Sequence, residues 1–330
     1  MKKPAALSVL VVAVLLALAV RAEAQQPTKI PRLGYVSGTG TATNQGPYLE
    51  ALREGLRELG HVEGETFLIE YRGAAGQIER VPSLVEELVN LKVDLLVAPV
   101  PIAIRTAKQA TKTIPIVMVS GIDPVASGAV ESLAHPGGNL TGISTLAQDL
   151  SGKRLELLKE VVPKLSRVGI LLDRESRSSV ANLKEYEDAA KVLKIEIQSL
   201  EVEGPKPDLE PIFKTAAKLR IGSLITITNA NILMQQKRLA ELAIKNSLPS
   251  MFQGSTWVDA GGLISYSTDE LGAFRRAATY VDKILKGTKP ADLPVEQTTK
   301  FEFVINLKTA KQIGLTIPQW VLVKANRVIK

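Results

Sequence analysis

Short apolar strands alternate with amphipathic helices from about residue 30 to residue 285, and this rhythm most constrains what the chain can fold into. LGYV at 33–36 reads as a strand. Leu49, Leu52, Leu56 and Leu59 then recur at helical spacing, and Gly60 supplies a stop. Further strands are predicted over 67–71, 94–98 and 114–119, with helices over 78–91 and 102–110 between them. DLLVA at 94–98 has almost no polar alternation, as expected of a parallel strand covered on both faces. The second half repeats the order: helix 152–162, strand 167–172, helix 178–193, strand 195–200, helix 207–219 and strand 223–227. A helix over 232–246, strands over 249–252 and 262–266, and a helix over 270–285 complete it. A β-α-β-α run implies parallel strands with right-handed crossovers. Two such runs predict an α/β fold of two doubly wound parallel-sheet lobes.

HPGGNLTG at 135–142 is rich in glycine and has no helical period, so it reads as the first passage between lobes. Returns are expected after Tyr266 and around 290–299, within the Pro-containing polar stretch KGTKPADLPVEQTT. The predicted lobes are 28–143 plus about 267–296, and 144–266 plus about 297–330. Several parallel connections form a multi-crossing hinge, which restricts two lobes to opening and closing about one axis.

The N-terminus carries Lys2 and Lys3, an apolar run over 7–20, and small residues at Ala22 and Ala24. This reads as an export signal, residues 1–24, cleaved after Ala24; the run is shorter than the ~17–25 residues that span a bilayer. Removing it leaves 330 − 24 = 306 residues, enough for two domains. With no cysteine there is no disulfide, thiolate nucleophile, cysteine metal site or lipid acceptor. The mature protein is therefore expected outside the cytoplasm, unlipidated and not inserted in the membrane. The net charge of +7 is spread without a basic block, and aromatics are only 4% of residues, which argues against a nucleic-acid surface.

Six stretches in order carry a resemblance: GLRELGHVEGETFLIEYR at 55–72, IPIVMVSGIDPV at 114–125, HPGGNLTG at 135–142, KRLELLKEVVPK at 153–164, DAGGLISY at 259–266 and FEFVINLKTAKQIGLTIP at 301–318. Together they span nearly the whole mature chain. The sequence resembles the ABC-transporter substrate-binding proteins exemplified by tryptophan- and tyrosine-binding lipoproteins, which have the type I periplasmic-binding fold. The resemblance implies a small-molecule ligand, an ABC permease as partner, no cofactor, no catalysis and a monomer. It departs from many relatives in lacking the lipidation cysteine, which implies a soluble periplasmic version. A ligand-sensing receptor and a periplasmic enzyme on the same scaffold are the alternative functions.

The residues must locate the pocket themselves. In open α/β sheets a ligand sits beyond the carboxyl ends of strands, where loops and helix N-termini present free N–H groups. That rule nominates Ser37 and Thr39 after the first strand, Pro99 after the 94–98 strand, and Ser120 and Asp123 after the 114–119 strand. Across the cleft it nominates Asp173, Thr228, Asn229 and Gln253, with Phe252 and Tyr266 as strand-end aromatics able to stack on a ligand. Asp123 and Asp173 are candidates for a ligand ammonium; Asp123 could equally cap a helix that Pro124 begins. Ser37-Gly38-Thr39-Gly40 is not a dinucleotide loop, because Thr43 stands in place of the third glycine and Pro47 lies between loop and helix. The two histidines, His61 and His135, sit in separate turns, and no G-x-S-x-G elbow occurs, so neither zinc nor nucleophile chemistry is indicated.

Overall fold

A computed structural model describes residues 29–145, 150–204 and 206–330. The expected export signal lies outside the described residues. The chain forms two α/β lobes. Lobe I is built on a six-stranded sheet of β1 (Arg32–Ser37), β2 (Leu68–Gly73), β3 (Leu95–Ala98), β4 (Ile116–Ser120), β5 (Leu140–Ser144) and, from later in the chain, β11 (Glu296–Gln297). Its order is β11-β5-β4-β3-β1-β2, with every pairing parallel. Lobe II has seven strands: β6 (Arg167–Asp173), β7 (Glu196–Val202), β8 (Ser223–Thr226), β9 (Ser250–Phe252), β10 (Ile264–Thr268), β12 (Phe301–Asn306) and β13 (Arg327–Ile329). Their order is β13-β12-β10-β9-β8-β6-β7.

Helices cover both faces of each sheet, which is why the central strands read as continuous apolar runs. On one face of sheet I lie α1 (Pro47–Glu58) and α10 (Glu270–Leu285); on the other, α2 (Val81–Asn90) and α3 (Pro101–Ala110). The leucine stripe of α1, Leu49, Leu52 and Leu56, is buried against Leu33, Tyr35, Ala277 and Ala278. Gly55 lets the two helices touch: a Cβ there would lie 2.3 Å from the Arg275 carbonyl oxygen. In lobe II, α4 (Ser151–Val161) and α5 (Arg177–Leu193) cover one face, and α6 (Glu210–Lys218) with α8 (Gln236–Lys245) the other. The short helices α7 (Ala230–Met234), α9 (Ser255–Asp259), α11 (Leu307–Gln312) and α12 (Gln319–Leu322) complete the lobe. Among the described residues, no helix is long and apolar enough to cross a membrane.

The structure departs from the sequence reading at three places. HPGGNLTG is no passage between lobes, because it leads into β5. Asn139 donates to the carbonyls of Thr111 (3.2 Å) and Ile114 (2.8 Å), and Gly142, at φ 136, lies where a Cβ would be 2.1 Å from the Met118 carbonyl oxygen. Its glycine thus serves close strand approach. The sheet of lobe II is not wholly parallel, since β12 runs antiparallel to β10, from Ile264 opposite Ile305 to Thr268 opposite Phe301. The chain leaves lobe II at the end of β10 and re-enters beside that exit, so β12 can only run back. The helix expected over 232–246 is two, α7 and α8, meeting at Gln235.

The chain passes between the lobes at three places: between β5 and α4, between β10 and α10, and between β11 and β12. These passages are tied to one another. Thr298 N–H donates to the Ser144 carbonyl (3.0 Å), and Asp269 N–H donates to the Lys300 carbonyl (2.9 Å). The Lys300 ammonium meets the Asp269 carboxylate at 2.6 Å, and Arg154 Nε donates to the Tyr266 carbonyl at 2.8 Å.

Candidate functional site

Both sheets follow one winding rule, and it fixes where a ligand can sit. In lobe I, β1 lies between β2 and β3, so the chain reverses its direction of travel across the sheet between β1 and β3. In lobe II the reversal lies between β6 and β8. Loops beyond the carboxyl ends of such neighbouring strands diverge to opposite faces and leave a crevice. A cavity of about 430 Å³ opens there between the lobes, within the ~300–1,000 Å³ range of small-molecule sites.

Lobe I supplies most of its wall. The β1 loop contributes Ser37, Gly38 and Thr39; the β3 loop Pro99, Val100 and Pro101; the β4 loop Ser120, Gly121 and Ile122. Ser37 Oγ accepts the Gly40 N–H at 2.8 Å, which curls the first loop tightly. Lobe II closes the other side with Thr228, Asn229, Ala230 and Leu233. The lobes touch at the mouth, where a Cβ on Gly76 would lie 3.1 Å from Met234 Cγ.

One charged side chain, Glu270, lines this cavity among the described residues. Asp269 caps α10 by accepting the Gly272 N–H at 2.8 Å, and this puts Glu270 in the first helical turn, facing the cleft. Helix α1 begins at Gly46, whose φ of 82 favours glycine, followed by Pro47; Tyr48 is therefore also in a first turn. Because α1 and α10 run side by side in the same direction, these two residues meet. Tyr48 donates its hydroxyl to Glu270 Oε2 at 2.5 Å and stacks on Phe274, with ring centroids 4.9 Å apart. Burial pushes the Glu270 carboxyl above its usual range, against the lowering effects of the Tyr48 hydrogen bond and the Arg154 charge. Burial, followed by the neighbouring Glu270, likewise raises the Tyr48 hydroxyl. A half-buried carboxylate with one hydrogen bond among the described residues is under-compensated, and a bound cation would restore the balance.

Six residues nominated from sequence line the cavity: Ser37, Thr39, Pro99, Ser120, Thr228 and Asn229. Two stand behind the wall. Asp173, only 3% exposed, accepts from the side-chain amides of Asn229 (2.7 Å) and Asn231 (3.0 Å). Gln253 Oε1 accepts the Thr228 N–H at 3.0 Å, and its amide donates to the Tyr186 hydroxyl. Both carry wall residues rather than facing the cavity. Three lie away from it. Asp123 is exposed and spends Oδ1 on the N–H groups of Val125 and Ala126, each at 2.9 Å; no helix begins at Pro124, and the carboxylate caps a turn instead. Phe252 is fully buried and stacked on Trp257 at 4.8 Å. Tyr266 stacks on Phe301 at 5.9 Å and packs on the lobe II core.

Sequence reasoning missed Glu270, Tyr48, Tyr35, Phe274 and Thr145, all of which line the cavity. The strand-end rule cannot find Tyr48 and Glu270, which start helices from the flank of the sheet. A usable signal was present: Gly46-Pro47 and Asp269 mark two helix starts, and the residue after each carries an aromatic or an acid. The Thr228 hydroxyl adds a further polar feature. It is buried and has no hydrogen-bond partner among the described residues.

Over residues 45–329 the sequence matches the family described as ABC transporter substrate binding protein. The tyrosine-binding protein of Clostridioides difficile (strain R20291) is 27% identical over 274 residues, covering 82% of this chain and 78% of that protein. A conserved domain protein of Vibrio cholerae has a crystal structure similar at a TM-score of 0.75 and 25% identity, covering 91% of this chain and 100% of that one. The ABC domain from Streptococcus pneumonia in complex with L-Trp has a TM-score of 0.72 at 26% identity, covering 90% and 100%. The chain belongs to the ABC transporter substrate-binding protein family.

Proposed function

We propose that the protein captures a free α-amino acid with an aromatic or large apolar side chain outside the cytoplasm and delivers it to the permease of an ABC importer. One observation carries this reading: an inter-lobe cavity with apolar and aromatic walls whose single charged side chain among the described residues is the Glu270 carboxylate. A ligand ammonium would pair with Glu270, in place of the aspartates first considered. The ligand carboxylate would accept from the hydroxyls and N–H groups at Ser37 to Thr39 and Ser120 to Gly121, and the side chain would lie against Pro99, Ile122 and Phe274. The tryptophan and tyrosine named for two relatives fit this division of labour.

Binding would shift an open–closed equilibrium toward the closed form, by as much as the ligand prefers that form. Thr145 lies on the first passage between lobes and Glu270 directly follows the second, so a ligand touching both bears on the hinge. The protein acts as a monomer, without cofactor or turnover of its ligand. Export to the periplasm, without lipidation, rests on the apolar run over 7–20 and the absence of cysteine. The test is a thermal-shift and calorimetric screen of the common L-amino acids on protein refolded from denaturant. A true ligand at a hundredfold excess over its Kd adds about 2.7 kcal/mol of stability. If no amino acid stabilises the protein and only ligands without an ammonium group do, the reading is wrong.

A further inference from the structure

A second recess of about 280 Å³ continues from the main cavity, and Tyr35, Ser37, Thr39, Tyr48 and Leu233 line both. Its chemistry is different. The added wall is polar, with Asn44, Gln45, Gln236 and Thr256, and its single charged side chain among the described residues is Lys237. Lys237 is exposed and makes no ion pair with any described residue. The cleft as a whole therefore has an acid, Glu270, in one compartment and a free cation in the other.

We propose that this recess is a subsite for a distal carboxylate, which extends the ligand class to dipeptides: the N-terminal ammonium meets Glu270 and the C-terminal carboxylate meets Lys237. The inference rests on the amino-acid reading above. In a free amino acid the two charges sit on one carbon and can satisfy only one compartment. An additional residue carries the carboxylate about 3.3–3.6 Å farther along an extended chain, and the wall common to both compartments gives it a continuous surface to follow. The peptide group then falls beside the Ser37 and Thr39 hydroxyls common to both compartments, which can serve its N–H and C=O. Gly40 lets this wall pack closely on Tyr71, since a Cβ there would lie 2.0 Å from the Tyr71 hydroxyl, while Gln236 Nε2 donates to Thr256 Oγ1 at 3.1 Å on the lobe II side.

The test is calorimetry with L-tyrosine, tyrosyl-alanine and tyrosyl-alanine amide, on the full protein and on Lys237→Met. The acid dipeptide binds the natural protein about fivefold more tightly than its amide, the upper end for a solvent-facing ion pair. That preference shrinks at high salt and disappears in Lys237→Met. Failure of the dipeptide to bind where tyrosine binds overturns the subsite alone, as does an acid preference that survives Lys237→Met. Failure of tyrosine as well as both dipeptides overturns the amino-acid reading together with it.

Discussion

Replacing Glu270 by glutamine separates a binding carboxylate from a structural one, because the two roles move different observables. The substitution keeps the shape and leaves an oxygen to accept from Tyr48, whose hydroxyl lies 2.5 Å from Oε2, but it removes the charge. A hydrogen bond to a charged group contributes about 1.5–3 kcal/mol, so the affinity for an aromatic amino acid falls roughly 10- to 150-fold. The ligand-free protein moves the other way. Burial raises the Glu270 carboxyl above its ordinary value of 4.5, so the folded state holds that proton more tightly than the unfolded state does. Its contribution to stability is therefore favourable below pH 4.5 and is lost as pH rises through the folded value. Glutamine does not titrate, so Glu270→Gln matches the natural protein at pH 4 and is more stable than it at pH 8. Calorimetry with L-tryptophan and its des-amino analogue reads binding, and urea unfolding at the two pH values reads stability. Equal losses for both ligands, or a variant less stable at pH 8, would refute the assignment.

Four further outcomes follow. Asp123→Ala leaves affinity unchanged and lowers stability by about 1 kcal/mol in urea unfolding, since it removes a turn cap at an exposed site. Thr228→Val removes a buried hydroxyl without a partner, so it raises ligand-free stability by about 1–3 kcal/mol while weakening binding, both measurable in one thermal-shift series. Trp257→Ala costs about 3–5 kcal/mol, because the ring is 1% exposed and stacked on Phe252; chemical unfolding gives the value. Burial alone would raise Asp269, but hydrogen bonds from Lys300 and the Gly272 N–H outweigh it and hold the carboxyl below 3.8. Its stabilisation is present above that pH and is lost as pH falls through the folded value, so acid unfolding of the natural protein is steeper than that of Asp269→Asn.

The fold was largely legible because burial on both faces of a sheet leaves an unmistakable mark. LLVA in β3 and IVMVS in β4 admit no alternation, and the α1 leucines recur at helical spacing beside them. What stayed hidden depended on partners distant in sequence. Gly142 in β5 serves the close approach to Met118, and within the glycine-rich HPGGNLTG stretch it reads in isolation as part of a loop. The site divided along similar lines. Residues at strand ends, such as Ser37, Ser120 and Thr228, follow from topology alone. Glu270 and Tyr48 meet only because α1 and α10, separated by more than two hundred residues, pack side by side. Phe252 misled for a related reason: it ends a strand, but Trp257 five positions later folds back over it and takes the place a ligand would have.

The claim that a ligand draws two lobes together is open to one direct distance measurement. The chain has no cysteine, so Glu79→Cys and Glu175→Cys, exposed on opposite sides of the cleft mouth, give one label on each lobe without background. Pulsed electron-spin distances between them, taken with and without an amino acid that binds by calorimetry, report lobe separation. A broad, longer distribution that collapses to the short closed distance on saturation is the predicted result. An identical distribution in both states, with binding intact, would contradict lobe closure.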